Sequence, residues 1–409
     1  MIFEGLVALR SNSNREVYIV SAVRTPIGKF GRSLHLLDAV DLGAIAIRAA
    51  IEKAGISPKD VEFVAMGHVI RAGTGQATAR QAAIKAGIPI SVDAMNVDMV
   101  CSSGMAAVMT AATMIRAGEV DLVVAGGMES MSRAPFIIPA EARWGIRHLI
   151  TRSMNLVDAM YNDGLFDHIA GMGMGEEADK VAKEHGYTRE ELDQVALESH
   201  RRAAKAQDSG LVDDELVIVN TVKDGVRVYL DRDEGVRRDI TPERLAKLPP
   251  AFGRDGLHTA GNSSQLSDGA AALVLASKEK VRELGLKPIA RILGYSWSAV
   301  ETWRFTEAPI KAVKRLLAKL NMQLSDFDYF ENNEAFAVSS LLFRDMLNVS
   351  LDRVNVFGGA IALGHPLGAT GARIIVTLLN VLRKKGGRRG IAALCHGLGG
   401  ATAIAVELV

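Results

Sequence analysis

The sequence predicts an α/β protein in which short strands alternate with helices. Apolar runs at Val17–Val23, Val61–Met66 and Asp121–Ala125 are bounded by turn residues and are short enough for strands. The stretches between them carry apolar residues at helical spacing, and the same order of elements returns later in the chain. Alternation of this kind favours parallel sheets with helices on both faces.

The first predicted helix shows how the elements are assigned. It runs from Asp38 to Ala54, with apolar residues such as Leu42 and Ile45 on one face, and it ends at Gly55. A second clear helical segment is Arg189–Gln207. Near the C-terminus, the helix Arg373–Leu382 leads to the strand Gly390–Leu394.

An internal echo indicates two similar halves. Residues 47–53 and 60–64 align without gaps with residues 313–319 and 326–330, so that a charged helix end and an Asp-led strand recur in one register. Any two βα units share some likeness, but the ungapped register favours two copies of one plan. We predict halves at residues 1–282 and 283–409, with a charge- and Met-rich insertion at about 132–258 in the first.

Composition limits the class of protein. The chain has 409 residues, of which 48% are apolar and 23% charged, with a net charge of +1, so nothing suggests a nucleic acid or an anionic membrane as partner. The apolar run Ile374–Leu382 is broken by Arg383 and is too short to span a bilayer. The N-terminal stretch reads as no secretory signal and the C-terminal Val-Glu-Leu-Val as no targeting address, so a cytoplasmic location is expected.

The chain has two cysteines, Cys101 and Cys395, which argues against a disulfide framework or a metal centre. Either could be a small buried hydrophobe. However, Cys101 precedes a run of good helix formers, and a helix N-terminus favours a thiolate over a thiol. Cys395 follows an apolar strand and enters a Gly-rich turn, at the strand end where α/β sheets keep their sites.

A glycine-rich segment at residues 358–371 surrounds His365. Its spacing matches neither a dinucleotide-binding loop nor a phosphate-binding loop. A neutral imidazole suits the role of general base towards a thiol. Asn333 follows a predicted strand at Phe327–Phe330 and stands at a strand end equivalent to that of Cys395.

Four motifs resemble the thiolase family. They are Cys-Ser-Ser-Gly-Met (101–105), Asn-Glu-Ala-Phe (333–336), Gly-His-Pro-Leu-Gly-Ala-Thr-Gly-Ala-Arg (364–373) and Cys-x-Gly (395–397), and they occur in the family's order. The likeness runs from Val17 to the C-terminus. It implies the thiolase fold, in which two βαβαβαββ halves pack in layers and a loop domain is inserted in the first half.

The resemblance also implies roles. Cys101 would be the nucleophile that takes the acyl group, His365 its activating base, and Cys395 the acid and base at the α-carbon. Asn333, through a water molecule, would join His365 in one oxyanion site, and the N–H groups of Cys101 and Gly397 would form the other. Coenzyme A would be substrate and product, without a further cofactor or a metal, and the protein would be a homodimer or homotetramer.

Binding residues follow from the same resemblance. Residues that would line the pantetheine channel or the loop-domain side are Met174, Phe252, Ala260, Ser264 and Phe336, and Arg237 would pack on the adenine. For Met174, Phe252 and Phe336 the alternative is ordinary core packing.

Two departures from the family pattern concern the site. Gly173 stands where many relatives that handle acetoacetyl-CoA have a histidine, and His396 follows Cys395 where the usual run is Cys-Ile-Gly-Gly-Gly. His396 either perturbs the acidity of Cys395 or points away from it. The chemistry is therefore predicted more firmly than the acyl chain.

Acetyl-CoA C-acetyltransferase is the leading interpretation of the function, with a broader 3-oxoacyl-CoA thiolase as the runner-up. A ketoacyl synthase would lack Cys395. A non-catalytic acyl-CoA scaffold would not need both cysteines and His365.

Overall fold

The computed structural model describes residues 15–144, 155–223 and 225–409. The N-terminal stretch in which no signal was expected lies almost wholly outside the described residues, as does part of the insertion. The strands are β1 Val17–Arg24, β2 Gly28–Lys29, β3 Phe63–Gly67, β4 Asp93–Val97, β5 Leu122–Ser130, β6 Phe136–Ile137, β7 Val157–Asp158, β8 Phe166–Asp167, β9 Met172–Gly173, β10 Val219–Lys223, β11 Val226–Leu230, β12 Ser267–Ser277, β13 Ala290–Ala299, β14 Tyr329–Asn332, β15 Arg389–His396 and β16 Gly400–Leu408.

The helices are α1 Ala39–Ala54, α2 Thr78–Ala86, α3 Ser103–Ala117, α4 Ala159–Gly164, α5 Met174–Glu184, α6 Arg189–Asp208, α7 Pro242–Ala246, α8 Lys278–Glu283, α9 Ala308–Leu320, α10 Ala337–Leu347, α11 Ala360–Leu363 and α12 Leu367–Lys385. The predicted helix at 38–54 is α1, with Asp38 at its N-cap. The helix predicted from Arg373 begins six residues earlier, at Leu367. Pro366 lies at its N-cap, and a proline is well tolerated at the start of a helix. The glycines at 368 and 371 hid this start in the sequence.

The main sheet has ten strands, nine of them in the order β14-β15-β16-β13-β1-β12-β5-β3-β4, while β2 pairs with β12. It is mixed, which differs from the parallel sheet expected from the alternation of elements. Only β3–β4, β3–β5 and β14–β15 are parallel pairs. The tight turn between β15 and β16 requires an antiparallel pair, since a parallel pair needs a long crossover.

The two halves repeat one topology. In the first half β3 and β5 are parallel, and β12 pairs antiparallel with both β5 and β1. In the second half β14, β15, β16 and β13 repeat this arrangement in the same order. The two sets meet where Tyr18 and Ile19 of β1 pair with Arg291 and Ala290 of β13. The echo in the sequence is thus a structural repeat. The exact division at 282 and 283, which falls between β12 and β13, stays a prediction.

The layers are helix, sheet, helix, sheet, helix, where the two sheet layers are the strands that each half contributes to the main sheet. Helices α1 and α2 cover the outer face of the first half, and α9 and α10 cover that of the second. Between the two sheets lie α3 and α12, which pack on each other and on strands of both halves. The window Val100–Ala117, which covers α3, is long and apolar enough to cross a membrane by composition, and 67% of it is buried inside the protein.

The central helices approach closely because glycines lie at their contact. A Cβ atom on Gly371 of α12 would stand 2.3 Å from the backbone nitrogen of Met105 in α3. A Cβ atom on Gly104 would stand 2.8 Å from the carbonyl oxygen of Gly368. Both helices begin at this contact, so the residues that precede them are brought to the same place between the sheets. Cys101 precedes α3 and His365 precedes α12.

Candidate active site

Cys101 lies two residues before α3 in a strained turn. The preceding Val100 has φ +47°, a left-handed conformation that is rare for a β-branched residue. The hydroxyl of Ser103 donates to the Val100 carbonyl and accepts from the N–H of Met99, which holds the turn. Strain of this kind, of about 1–3 kcal/mol, persists where the surroundings enforce it, and it is common at active sites.

The Cys101 thiol is neutral in the free protein. Burial raises its pKa to about 12, although the backbone N–H groups of Gly397 and of Cys101 itself oppose the rise. The helix N-terminus was expected to favour a thiolate at Cys101. Burial has the larger effect on the pKa, because only 7% of the residue is exposed. Cys101 needs a proton acceptor before it can act as a nucleophile.

His365 is held in the form of such an acceptor. The Thr370 hydroxyl donates its single hydrogen to the Pro366 carbonyl at 2.9 Å, so at 2.7 Å from His365 Nδ1 it can only accept. Nδ1 therefore carries the hydrogen and Nε2 keeps its lone pair. Burial, helped by the charge of Arg373, lowers the pKa of His365 to about 3, and Nε2 has no partner among the described residues.

Cys395 and Gly397 come from the end of β15 and the turn that follows it. Burial, and then the neighbouring charge of Cys101, raise the pKa of the Cys395 thiol far above its usual range. The two sulfur atoms are therefore within electrostatic reach. The N–H of Gly397 lowers the pKa of Cys101, and a Cβ atom on Gly397 would stand 3.8 Å from Cγ1 of Val100, the residue before Cys101. Gly397 therefore lies close to Cys101, as the resemblance implied for an oxyanion donor.

Asn333 directly follows β14, where its backbone N–H donates to Ala393 of the neighbouring β15. Its side chain is 1% exposed, and neither its amide oxygen nor its amide nitrogen has a partner in the described part of the chain. Buried amides are normally paired. An unpaired amide at a strand end beside the Cys395 strand suits the predicted role towards a water molecule.

Four of the predicted binding residues come together. The ring of Phe336 meets that of Phe252 edge-on, with centroids 5.6 Å apart, and the ring of Phe252 packs against Gly175 at the start of α5. Ser264 donates its backbone N–H to Ala335, the neighbour of Phe336. Met174 begins α5, and its sulfur lies 3.3 Å from where a Cβ atom on Gly397 would stand. This cluster therefore reaches the oxyanion turn.

The other two predicted binding residues lie differently. Ala260 is exposed in the loop before Ser264. The backbone N–H of Arg237 donates to His200 on α6, so this residue is anchored by that helix and not by the phenylalanine cluster.

Gly173 has a neighbour that the sequence did not reveal. A Cβ atom at position 173 would lie 2.9 Å from the hydroxyl oxygen of Tyr161, which is on α4. The Tyr161 hydroxyl thus takes the space into which a histidine at position 173 would extend. No periodicity or motif marked Tyr161, because the contact joins two short elements of the insertion.

Glu129 is a second residue that sequence reasoning missed. It is fully buried near the end of β5, and its carboxylate accepts from the N–H groups of Val69, Ile70 and Gly368 at 2.9–3.2 Å. It thereby ties the start of α12 to the loop after β3. Burial raises its pKa to about 7. A glutamate inside an otherwise apolar strand was the available signal.

These features define an enzyme that transfers acyl groups through a thioester. A buried thiol and a histidine fixed as a proton acceptor precede two helices whose starts touch, the N–H of Gly397 lowers the pKa of that thiol, and a second thiol lies nearby.

Comparison with known proteins agrees. The family models "Thiolase, N-terminal domain" and "Thiolase, C-terminal domain" match residues 17–279 and 286–408. The chain therefore belongs to the thiolase family.

Two similar proteins are named acetyl-CoA acetyltransferase. One, from Synechocystis sp., is 54% identical over 97% of this chain and 100% of its own length. The other, from Cupriavidus necator, is 46% identical over 96% of this chain and 99% of its own length.

Solved structures are similar too. The acetyl-CoA acetyltransferase of Bacillus anthracis superimposes with a TM-score of 0.94 at 41% identity, over 97% of this chain and all of that one. The Acat5 thiolase of Ascaris suum, solved in complex with coenzyme A, gives a TM-score of 0.90 at 44% identity, over 96% of this chain and all of that one. The predicted fold is confirmed.

Proposed function

We propose that this thiolase is an acetyl-CoA C-acetyltransferase, which joins two acetyl-CoA molecules into acetoacetyl-CoA and CoA and also catalyses the reverse reaction. One observation carries the proposal. A neutral His365 with an available Nε2 and the N–H of Gly397 serve Cys101, while Cys395 stands as a second buried thiol beside the first. The names of the similar proteins support acetyl-CoA as the substrate.

The first half-reaction acylates Cys101. The Cys101 proton passes to His365 Nε2 as the sulfur attacks the thioester carbonyl of acetyl-CoA, and the N–H groups of Cys101 and Gly397 stabilise the negative oxygen. When the tetrahedral intermediate collapses, the C–S bond to coenzyme A breaks. The departing thiolate takes the proton from His365 and leaves as CoA.

The second half-reaction forms the carbon–carbon bond. His365, neutral again after the first half-reaction, takes the proton of the Cys395 thiol, and the Cys395 thiolate then removes a proton from the methyl group of a second acetyl-CoA. The enolate oxygen is stabilised by His365 and the water held by Asn333. The enolate carbon attacks the Cys101 thioester. Acetoacetyl-CoA leaves as the C–S bond to Cys101 breaks, and the Cys101 thiolate takes back the proton held by His365. Two charged oxygens at different carbons explain why two donor sets and two thiols are needed.

A Cys395→Ala variant separates these steps. We expect it to form the acetyl-enzyme on Cys101 with undiminished stoichiometry, measured by intact-protein mass, yet to lose exchange of the acetyl-CoA methyl protons with deuterated water. Full condensation activity in this variant would contradict the two-thiol mechanism. Cys101→Ala is the matched control, which should show no acetyl-enzyme.

Tyr161 supports a preference for short chains. Its hydroxyl fills the space next to Gly173, near the start of α5 and therefore near Met174 and Gly397. We expect Tyr161→Ala to increase the rate of thiolysis of 3-oxohexanoyl-CoA relative to acetoacetyl-CoA. Tyr161→Phe, which keeps the ring, is the control and should leave this ratio near the wild-type value.

A broader 3-oxoacyl-CoA thiolase is the second candidate, and one observation favours it. A recess of about 400 Å³ opens beside Val100, the residue before Cys101, with Phe166, Ile169, Met174 and Leu398 also among its lining residues. Thiolysis rates for 3-oxoacyl-CoA substrates of increasing length distinguish the two candidates. Activity confined to four carbons supports the acetyltransferase, whereas comparable rates at eight carbons would establish the broader enzyme.

We also propose a homo-oligomer in the cytoplasm. The support for assembly is β4, which forms one outer edge of the main sheet and carries Met95 with 38% exposure, while Ile90 just before it is 75% exposed. Exposed strand edges tend to be paired or covered. Light scattering should give a multiple of the chain mass, and Met95→Lys should lower it. A wild-type mass of one chain would contradict the proposal, and cell fractionation tests the location.

A further inference from the structure

The turn between β15 and β16 carries one of the oxyanion donors. His396 and Gly400 pair in register at the ends of the two strands, so Gly397, Leu398 and Gly399 form the turn. Gly397 lies beside the turn that holds Cys101, because a Cβ atom on Gly397 would stand 3.8 Å from Cγ1 of Val100, and the N–H of Gly397 lowers the pKa of Cys101. Small rotations of this turn would move that N–H away from the position of the developing oxyanion, since such donors act only at about 2.7–3.1 Å.

The turn contains a strained residue. Leu398 has φ +64°, in the left-handed region that favours glycine, and Gly399 beyond it has φ +74°. Leu398 is also 49% exposed, so packing of its own side chain does not explain why it keeps this conformation. Strain at an active site persists only where the surrounding structure enforces it.

His396 spans this turn as a brace. Its Nδ1 lies 2.8 Å from the carbonyl oxygen of Gly397. A carbonyl only accepts, so Nδ1 carries a hydrogen whether the ring is neutral or charged. The rest of the ring occupies the space beside Gly400, where a Cβ atom would stand 2.0 Å from its Cε1 and Nε2 atoms. The side chain therefore links the first residue of the turn to the strand beyond it.

We propose that His396 is a positioning residue that holds the strained turn at Leu398 in place, so that the Gly397 N–H stays directed at Cys101. Leu398 stands where the usual run Cys-Ile-Gly-Gly-Gly has its middle glycine, so His396 and Leu398 both depart from that run. In this chain the histidine then compensates for the leucine. This role differs from an effect on the acidity of Cys395, because the hydrogen bond persists in both protonation states of His396.

The test compares four variants with the wild type: His396→Ile, His396→Asn, Leu398→Gly and the double variant His396→Ile/Leu398→Gly. Asparagine places an N–H donor at the same distance from the backbone as Nδ1 does. Two readouts are needed. The first is kcat and KM for acetoacetyl-CoA thiolysis across pH. The second is the rate of Cys101 alkylation by iodoacetamide, located by peptide mass spectrometry, with thermal unfolding as the check on folding.

We expect His396→Ile to lower both kcat and the alkylation rate by about tenfold or more, with KM within twofold, because a misdirected donor loses part of its effect. His396→Asn should recover most of this loss, and the double variant should react faster than His396→Ile alone. The pH midpoints should not move.

Three results would overturn the proposal: wild-type rates in His396→Ile, no recovery with asparagine, or no recovery with glycine at position 398. A shifted pH profile in His396→Asn would instead assign His396 to the acidity of Cys395. The proposal rests on the thiolase activity, but alkylation of Cys101 needs no substrate. Absence of thiolysis in the wild type would therefore refute the function and leave the brace to be judged by alkylation.

Discussion

The hydroxyl of Thr370 should control the reactivity of Cys101 through His365. In Thr370→Val the hydroxyl becomes a methyl group of similar volume. The Pro366 carbonyl keeps its backbone donors, the N–H groups of Ala369 and Thr370 at 3.0 Å, so the start of α12 is unaffected. His365, which is 5% exposed, instead loses the partner of its Nδ1 hydrogen.

The magnitude follows from that single loss. A buried donor without a partner costs about 1–3 kcal/mol, and this cost falls on the tautomer that acts as the base. The expected decrease in kcat/KM is therefore about 5- to 150-fold. Thr370→Ser keeps the hydroxyl and should stay within about threefold of the wild type.

The assay is acetoacetyl-CoA thiolysis, followed by loss of substrate absorbance, together with the rate of acetyl-enzyme formation. Both should fall in parallel in Thr370→Val, because the same base is needed to acylate Cys101. If Thr370→Val acylates at the wild-type rate while remaining folded, the tautomer argument is wrong. A loss in Thr370→Ser equal to that in Thr370→Val would refute it as well.

Three further predictions follow from the packing and the titrating groups. Cys101→Ser lacks the charge that Cys101 acquires as the pH approaches its pKa of about 12, so Cys395 should be alkylated faster than in the wild type in that pH range, as measured by mass spectrometry. An unchanged alkylation rate would show that the two thiols do not interact. Burial, and then the nearby carboxylate of Asp167, raise the pKa of Glu177 from 4.5 to about 9, so the fold holds a proton that the unfolded chain releases. The stability that protonated Glu177 contributes is lost as the pH rises from 4.5 to about 9. The Tm of the wild type should therefore fall relative to that of Glu177→Gln between about pH 6 and about pH 9. Curves of Tm against pH that run parallel for the two proteins would contradict this prediction. Gly371→Ala places a Cβ atom 2.3 Å from the Met105 nitrogen and should reduce the free energy of unfolding in urea by about 1–3 kcal/mol together with activity, whereas an unchanged midpoint would show that α3 and α12 can separate freely.

The sequence predicted individual helices and strands and the repeat because apolar periodicity and register are local properties, whereas the layered packing was implied by the resemblance. The strand at 17–23 and the helices at 38–54 and 189–207 lie within one residue of β1, α1 and α6. Strand direction was not predictable in the same way. The antiparallel β15–β16 pair depends on a five-residue segment whose glycines look the same in a loop and in a hairpin turn.

Cys101, His365, Cys395 and Asn333 were singled out by their places in the sequence pattern, the resemblance supplied their roles and the binding residues, and the structure added how they are held. Neither periodicity nor spacing relates Thr370 to His365 unless the helix start at Leu367 is known, since only then does its hydroxyl reach back to Pro366. The pKa of Cys101 was predicted in the wrong direction, because a helix N-terminus is visible in a sequence and complete burial of a thiol is not. The contact between Tyr161 and Gly173 could not be predicted from the sequence either.

The pKa values of the two thiols impose an order on the reaction. Burial keeps both cysteines protonated, and a thiolate at Cys101 would raise the pKa of Cys395 further. Once Cys101 carries an acetyl group its sulfur is neutral, so this opposition disappears and Cys395 loses its proton more easily. The carbanion-forming thiol is thus hardest to deprotonate while the nucleophile is charged, and its thiolate forms more easily when the thioester that the carbanion must attack is in place.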